Sequence, residues 1–235
     1  MKELFAGIEQ ALERGERPVD AELVRALRAP ACPGSLVERL AGCRWMLRAG
    51  RVLPLLLRHP ACPRPFALEA MLALGWRDLL AVAREPRAAP PVRRQAELKL
   101  IERVTQLTSG ERTAVARQAT RAVLVHLLDS SDPQCVRAML DNPQFTETEA
   151  LRLLAANRHA DCLIEVARHR DWGQRPAIVR SAVRNRWMPL GVVLGMLATL
   201  TVTELAQLAD AAEARAEVRE AAARLVDRRR PGAEG

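Results

Sequence analysis

Apolar residues along this chain recur every three or four positions, in stretches of about 8 to 15 residues separated by Pro, Gly, Asn and Asp. That period places them on one face of short helices, and no stretch alternates with the period of two that a half-buried strand needs. The spacing predicts helices over Glu3–Arg14, Ala21–Arg28, Leu36–Arg48, Val52–Arg58, Pro65–Leu74, Asp78–Arg84 and Pro91 to about Gln106. It continues over 111–128, 134–141, 147–156, 160–168, 175–185, 189–199, 202–210 and 214–228, leaving a polar tail at 229–235. Local stop and start signals agree. Asp20 and Ser35 stand at N-cap positions, Pro30 stops a helix, and Asp132-Pro133 opens one. Three Thr-x-x-Glu capping boxes stand at Thr108/Glu111, Thr146/Glu149 and Thr201/Glu204. In each, a hydroxyl and a carboxylate satisfy two N–H groups that a helix start leaves open.

The chain is also self-similar. Residues 58–100 match a segment 126 residues later: Pro63 falls on Pro189, Leu68 on Leu194, Leu74 on Leu200, Asp78 on Glu204, Leu79 on Leu205 and Ala96 on Ala222. Arg28-Ala-Pro-Ala-Cys-Pro33 recurs as Arg58-His-Pro-Ala-Cys-Pro63, and Val136–Asn142 is echoed by Val179–Asn185. Helical units repeated at such spacings cannot bury their apolar stripes alone and are expected to stack. The expected fold is therefore all-α. It is an α-solenoid of roughly 12–14 short helices in one domain over 1–228, with cap helices in 1–27 and repeats over 28–226. Leu154 and Leu194 read as core positions, and Asn142, Asn157 and Asn185 as helix ends closed in the left-handed conformation.

Leu140-Asp-Asn-Pro-Gln-Phe-Thr146 and Val183-Arg-Asn-Arg-Trp-Met-Pro189 each lead into a Leu-rich helix. They resemble the turn before the inner helix in leucine-rich-repeat-variant and HEAT-like repeats of bacteria, although Asn185 lacks the Pro that follows Asn142. The resemblance implies a stacked-helix scaffold and no particular chemistry. Some relatives of that type carry an iron–sulfur segment, but Cys32, Cys43 and Cys62 do not have its spacing, and no cofactor is expected.

Composition narrows the reading further. Tyr is absent and aromatics make up 3%, which disfavours a sandwich or barrel. The longest uncharged run, Trp187–Thr203, is interrupted by Pro189, Gly191 and Gly195 and is too short for a membrane helix. The first residues lack the apolar core of a signal peptide. Five cysteines without a CxxC favour a reducing cytoplasm and buried thiols over disulfides or zinc. His159 and Cys162 share a helix face but have no second pair of metal ligands nearby. No nucleophile elbow, Walker motif or dinucleotide fingerprint occurs, so no catalytic residue is named and a non-enzymatic protein is expected.

The remaining signal is arginine. Lys stands only at 2 and 99, so Arg supplies 34 of the 36 basic residues, and the net charge is +8. Counted by segment, the charge concentrates at +6 over 28–64 and +5 over 151–187. Arg175, Arg180, Arg184 and Arg186, with Trp172 and Trp187, form the densest cluster. The same arginines would also serve simply to solubilise exposed helix faces. The expected function is a scaffold that binds a macromolecule on a concave face, a protein in the first instance, with Arg175, Arg180, Arg184, Arg186 and Trp187 as contact residues. The alternative is a nucleic-acid binder that uses arginine on phosphates and aromatics for stacking, akin to HEAT-like DNA glycosylases but without their catalytic arrangement.

Overall fold

The computed structural model describes residues 1–229. Among them are sixteen α-helices, three short 3-10 segments and no strand. The chain forms two compact units, Met1–Gln106 and Leu107 onward.

The first unit holds α1 (Lys2–Glu13), α2 (Asp20–Arg28), α3 (Gly34–Ala41), α4 (Leu53–Leu57), α5 (Arg64–Ala70), α6 (Trp76–Ala83) and α7 (Pro90–Val104). Alternate helices stack, α2 on α4 and α4 on α6, with α5 against α7, while α6 and α7 pair as sequence neighbours. Each helix buries one stripe, such as Leu23, Ala26 and Leu27 on α2 and Leu36, Val37 and Leu40 on α3. The second unit holds α8 (Ser109–Ala116), α9 (Arg121–Leu124), α10 (Pro133–Leu140), α11 (Glu147–Ala156), α12 (Ala160–Arg168), α13 (Pro176–Arg184), α14 (Leu190–Leu197), α15 (Val202–Ala209) and α16 (Ala216–Arg229). Here α10 stacks on both α8 and α12, α11 on α13, and α14 on α16.

The repeat seen in residues 58–100 extends through the whole series α2–α7, which returns 126 residues later as α11–α16. α6 and α15 correspond end to end. Side chains repeat with them. The guanidinium of Arg103 donates to the carbonyls of Leu72 and Leu74, and that of Arg229 to those of Ala198 and Leu200. In both copies a C-terminal arginine closes carbonyls that the helical ladder leaves open.

A second device recurs at the turns. The side chains of Asn142, Asn157 and Asn185 each accept the N–H two residues on and donate back to carbonyls 23 to 31 residues earlier. No non-glycine residue among those described has a positive φ. The asparagines therefore do not close helices in the left-handed conformation, as expected from sequence. They bridge one turn to a helix end two helices earlier, as Asn142 after α10 does to the end of α8 and Asn185 after α13 to α11. His59 stands where Asn185 does in the other copy, and its Nδ1 accepts the Ala61 N–H at 3.2 Å.

Several spans differ from the periodicity. The sixteen α-helices exceed the expected 12–14: the fifteen spans read from the periodicity become sixteen because 111–128 divides in two, and two other spans are cut short by 3-10 turns. Leu36–Arg48 breaks at Gly42, and 65–74 ends in a 3-10 turn over Met71–Ala73. The 111–128 span breaks after Ala116, where the Asn142 carboxamide takes the freed carbonyls of Ala116 and Ala119 at 2.8 and 3.0 Å. Leu194 is 40% exposed and is not core, because α14 is apolar on every face and only Val193, Met196 and Leu197 turn inward. Helix α16 continues to Arg229, and the rest of the expected polar tail lies outside the described residues.

Candidate binding groove

The arginine cluster sits where α11 and α13 stack. Asn157 ends α11 with its carboxamide on Leu128 and Ser130, and Arg158 follows into solvent. One α13 face carries Arg180 and Arg184, four residues apart. The turn after α13 is held at both ends. Asn185 accepts the Trp187 N–H at 2.7 Å, and Met188 is fully buried. Arg186 and Trp187 between them are turned outward, with the guanidinium 5.1 Å from the ring centroid and the indole 46% exposed.

Arg158, Arg180, Arg184, Arg186 and Trp187 thus line one shallow groove of about 820 Å³, together with Leu154 and Ser181. Arg180 is neutralised there by Glu204 at 2.8 Å. The backbone N–H of Thr201, then Arg180 and the Thr201 hydroxyl, hold the Glu204 carboxyl down at about 2. Among the described residues no carboxylate lies within 4 Å of the guanidiniums of Arg158, Arg184 or Arg186. Three uncompensated cations therefore converge beside an exposed aromatic ring.

Arg175 is not part of this groove. Its guanidinium lies 4.0 Å over the Trp172 ring, its Nε donates to the Asp171 carbonyl at 3.0 Å, and it pairs with Glu147 at 3.4 Å. Trp172 is itself buried. Its Nε1 donates to the Leu140 carbonyl at 3.0 Å and its ring meets Phe145 edge-on at 5.7 Å. Arg175 and Trp172 hold α13 in place, while Arg158, which sequence density overlooked, joins the site. The repeat contains the missing signal: Arg158 follows Asn157 as Arg186 follows Asn185.

The thiols offer no rival site. Of the five thiols expected to be buried, Cys32, Cys62, Cys135 and Cys162 are, whereas Cys43 is half-exposed with its Sγ on the Arg39 carbonyl at 3.4 Å. Burial pushes the Cys62 thiol up to about 12 and the Cys162 thiol to about 11, so both stay protonated and unreactive at neutral pH. Among the described residues no three His, Cys, Asp or Glu side chains are grouped to hold a metal, and no helix is long and apolar enough to cross a membrane. Fold and groove define a class: an all-helical, internally duplicated protein with an arginine-lined surface site. No family model, curated protein or solved structure matches the chain.

Proposed function

We propose that the repeats build an α-solenoid of the HEAT-like or leucine-rich-repeat-variant type, which works as a non-enzymatic scaffold and binds an acidic segment of a protein partner in the α11–α13 groove. The observation that carries this reading is the convergence of Arg158, Arg184 and Arg186, without carboxylate partners among the described residues, beside Trp187. Arginine offers a planar fork that matches carboxylates, and an exposed Trp supplies the apolar anchor that binding hot spots favour. Ala155, exposed on the groove wall, suits an apolar residue interspersed in such a segment. The exposed indole beside arginines also favours a second reading, a single-stranded nucleic acid with phosphates on the guanidiniums and a base on Trp187.

The test is fluorescence anisotropy of labelled acidic peptides containing Leu and Phe, and of labelled single-stranded oligonucleotides, at ~50 and ~200 mM salt. Peptide binding that falls at least tenfold in an Arg184→Glu/Arg186→Glu variant supports the first reading. Oligonucleotide binding alone, with a steep salt dependence, supports the second. Binding of neither, or binding indifferent to the double variant, overturns both.

A further inference from the structure

The groove has a counterpart in the first unit, and its chemistry differs. Arg58 stands where Arg184 does and His59 where Asn185 does. Beside them, Arg28 from the end of α2 and Arg87 from the turn after α6 face one cavity of about 350 Å³, together with Leu55 and Glu85. Three arginines thus come from the C-terminal ends of α2, α4 and α6, the helices that stack in that order. Arg58 is held side-on by Glu85, its Nε at 2.9 Å, and Glu85 also accepts the Arg87 N–H at 3.3 Å. Among the described residues neither Arg28 nor Arg87 has a carboxylate within 4 Å. His59 is spent as a turn acceptor for Ala61, and burial and then Arg87 lower its tendency to protonate. Counted over the lining side chains, the cavity carries two positive charges.

Repeat packing does not call for these arginines. Matched on their buried stripes, α2 and α11 place Ala155 where Arg28 stands, and Glu213 stands where Arg87 does in the second copy. We infer that this cavity is an oxyanion site distinct from the α11–α13 groove, and that it takes the dianionic group of a phosphate monoester. Two net positive charges match that group, and guanidinium forks match its oxygens. An adjoining cleft of about 570 Å³ shares Arg28, Leu55 and Arg58 and is walled by Val24, Pro54 and Ala81, which leaves room for the carrier of the phosphate. Arg51, Asp20 and Asp78 also line that cleft.

The carrier is either a small molecule or a phosphorylated side chain, and two probes separate them. Isothermal titration of the full chain at low salt uses phenyl phosphate in one arm. The other arm uses a neutral peptide with one phosphoserine, against its unphosphorylated form. Tighter binding of phenyl phosphate assigns a small carrier, and tighter binding of the phosphopeptide a protein one; either supports the site. Arg28→Gln/Arg87→Gln is expected to weaken binding at least tenfold with an unchanged helical spectrum. Arg184→Glu/Arg186→Glu leaves it intact, so this site and the groove fail independently. No binding of either probe, equal binding of the unphosphorylated peptide, or retention in Arg28→Gln/Arg87→Gln overturns the inference.

Discussion

Asn142 offers the sharpest test of how one turn secures a helix end two helices earlier. The side chain is 3% exposed and makes three hydrogen bonds. Its Nδ2 donates to the Ala116 and Ala119 carbonyls at 2.8 and 3.0 Å, and its Oδ1 accepts the Gln144 N–H at 2.8 Å. Asn142→Ala removes all three and leaves buried carbonyls without donors. At about 1 kcal/mol net per bond, the expected loss is ~3 kcal/mol. Asn142→Asp keeps the shape and the acceptor for Gln144 but presents oxygen to two carbonyl oxygens. At neutral pH this buries a charge facing like partial charges, so the loss reaches ~3–5 kcal/mol, more than for alanine. The protonated acid can donate one of the lost bonds, so the new carboxyl titrates above its unfolded value of about 3.9 in the folded chain. A raised folded-state value means that the stabilisation is fully present below the unfolded value and is lost as pH rises through the folded one. Relative to wild type, Asn142→Asp therefore recovers on acidification while Asn142→Ala does not. Urea unfolding followed by helical circular dichroism at about pH 7 and about pH 4 reads both effects as midpoint shifts at constant slope. A loss below ~1 kcal/mol for Asn142→Ala, or an aspartate variant that worsens in acid relative to wild type, would refute the bridging role.

Three further outcomes are expected. Glu149 is fully buried: burial raises its carboxyl, but the Thr146 hydroxyl and Arg121 outweigh this and hold it below 4.5. Its stabilisation is thus present above that unfolded value and lost as pH falls through the lower folded one. Arg121→Ala should cost ~2 kcal/mol at neutral pH, and Glu149→Gln should flatten the acid limb of a stability–pH curve. Gly173→Ala would drive a Cβ into the Ala167 carbonyl oxygen, so the loss should meet or exceed the upper end of the ~1–3 kcal/mol usual for overpacking. Gly195, in α14 with nothing within 4 Å, should gain ~0.5–1 kcal/mol on the same change; equal thermal shifts for the two would contradict the packing. Leu154→Ala should cost ~2–5 kcal/mol, whereas Leu194→Ala should stay within ~0.5 kcal/mol in chemical denaturation.

These residues also show how far sequence reading reaches. The boxes at Thr108 and Thr201 form as expected, because their chemistry closes within three residues. The break after Ala116 depends on a carboxamide 26 residues further on, which no local pattern reveals. Glu149 reads as the acid of a capping box, and only Arg121, 28 residues earlier, explains its burial. In α14 an apolar residue stands at almost every position, so periodicity could not say that Leu194 faces outward. Of the residues singled out by arginine density, Arg180, Arg184, Arg186 and Trp187 line one groove. The same density admitted Arg175, whose aromatic neighbour is buried, and missed Arg158, which reaches the groove through helix stacking.

The backward reach of the turn asparagines bears on how the chain is made. The carbonyls of Ala116, Leu128 and Leu154 receive their donors from residues 26, 29 and 31 positions later. At ~5–20 residues per second, a ribosome delivers each donor about 1–6 s after the helix end it serves. Every helix end so served spends that interval open to water or to other chains, and a nascent chain halted before Asn142 leaves α8 unfinished. Completion follows the direction of synthesis, so a C-terminal truncation removes its own residues and also the closure of the repeat before them.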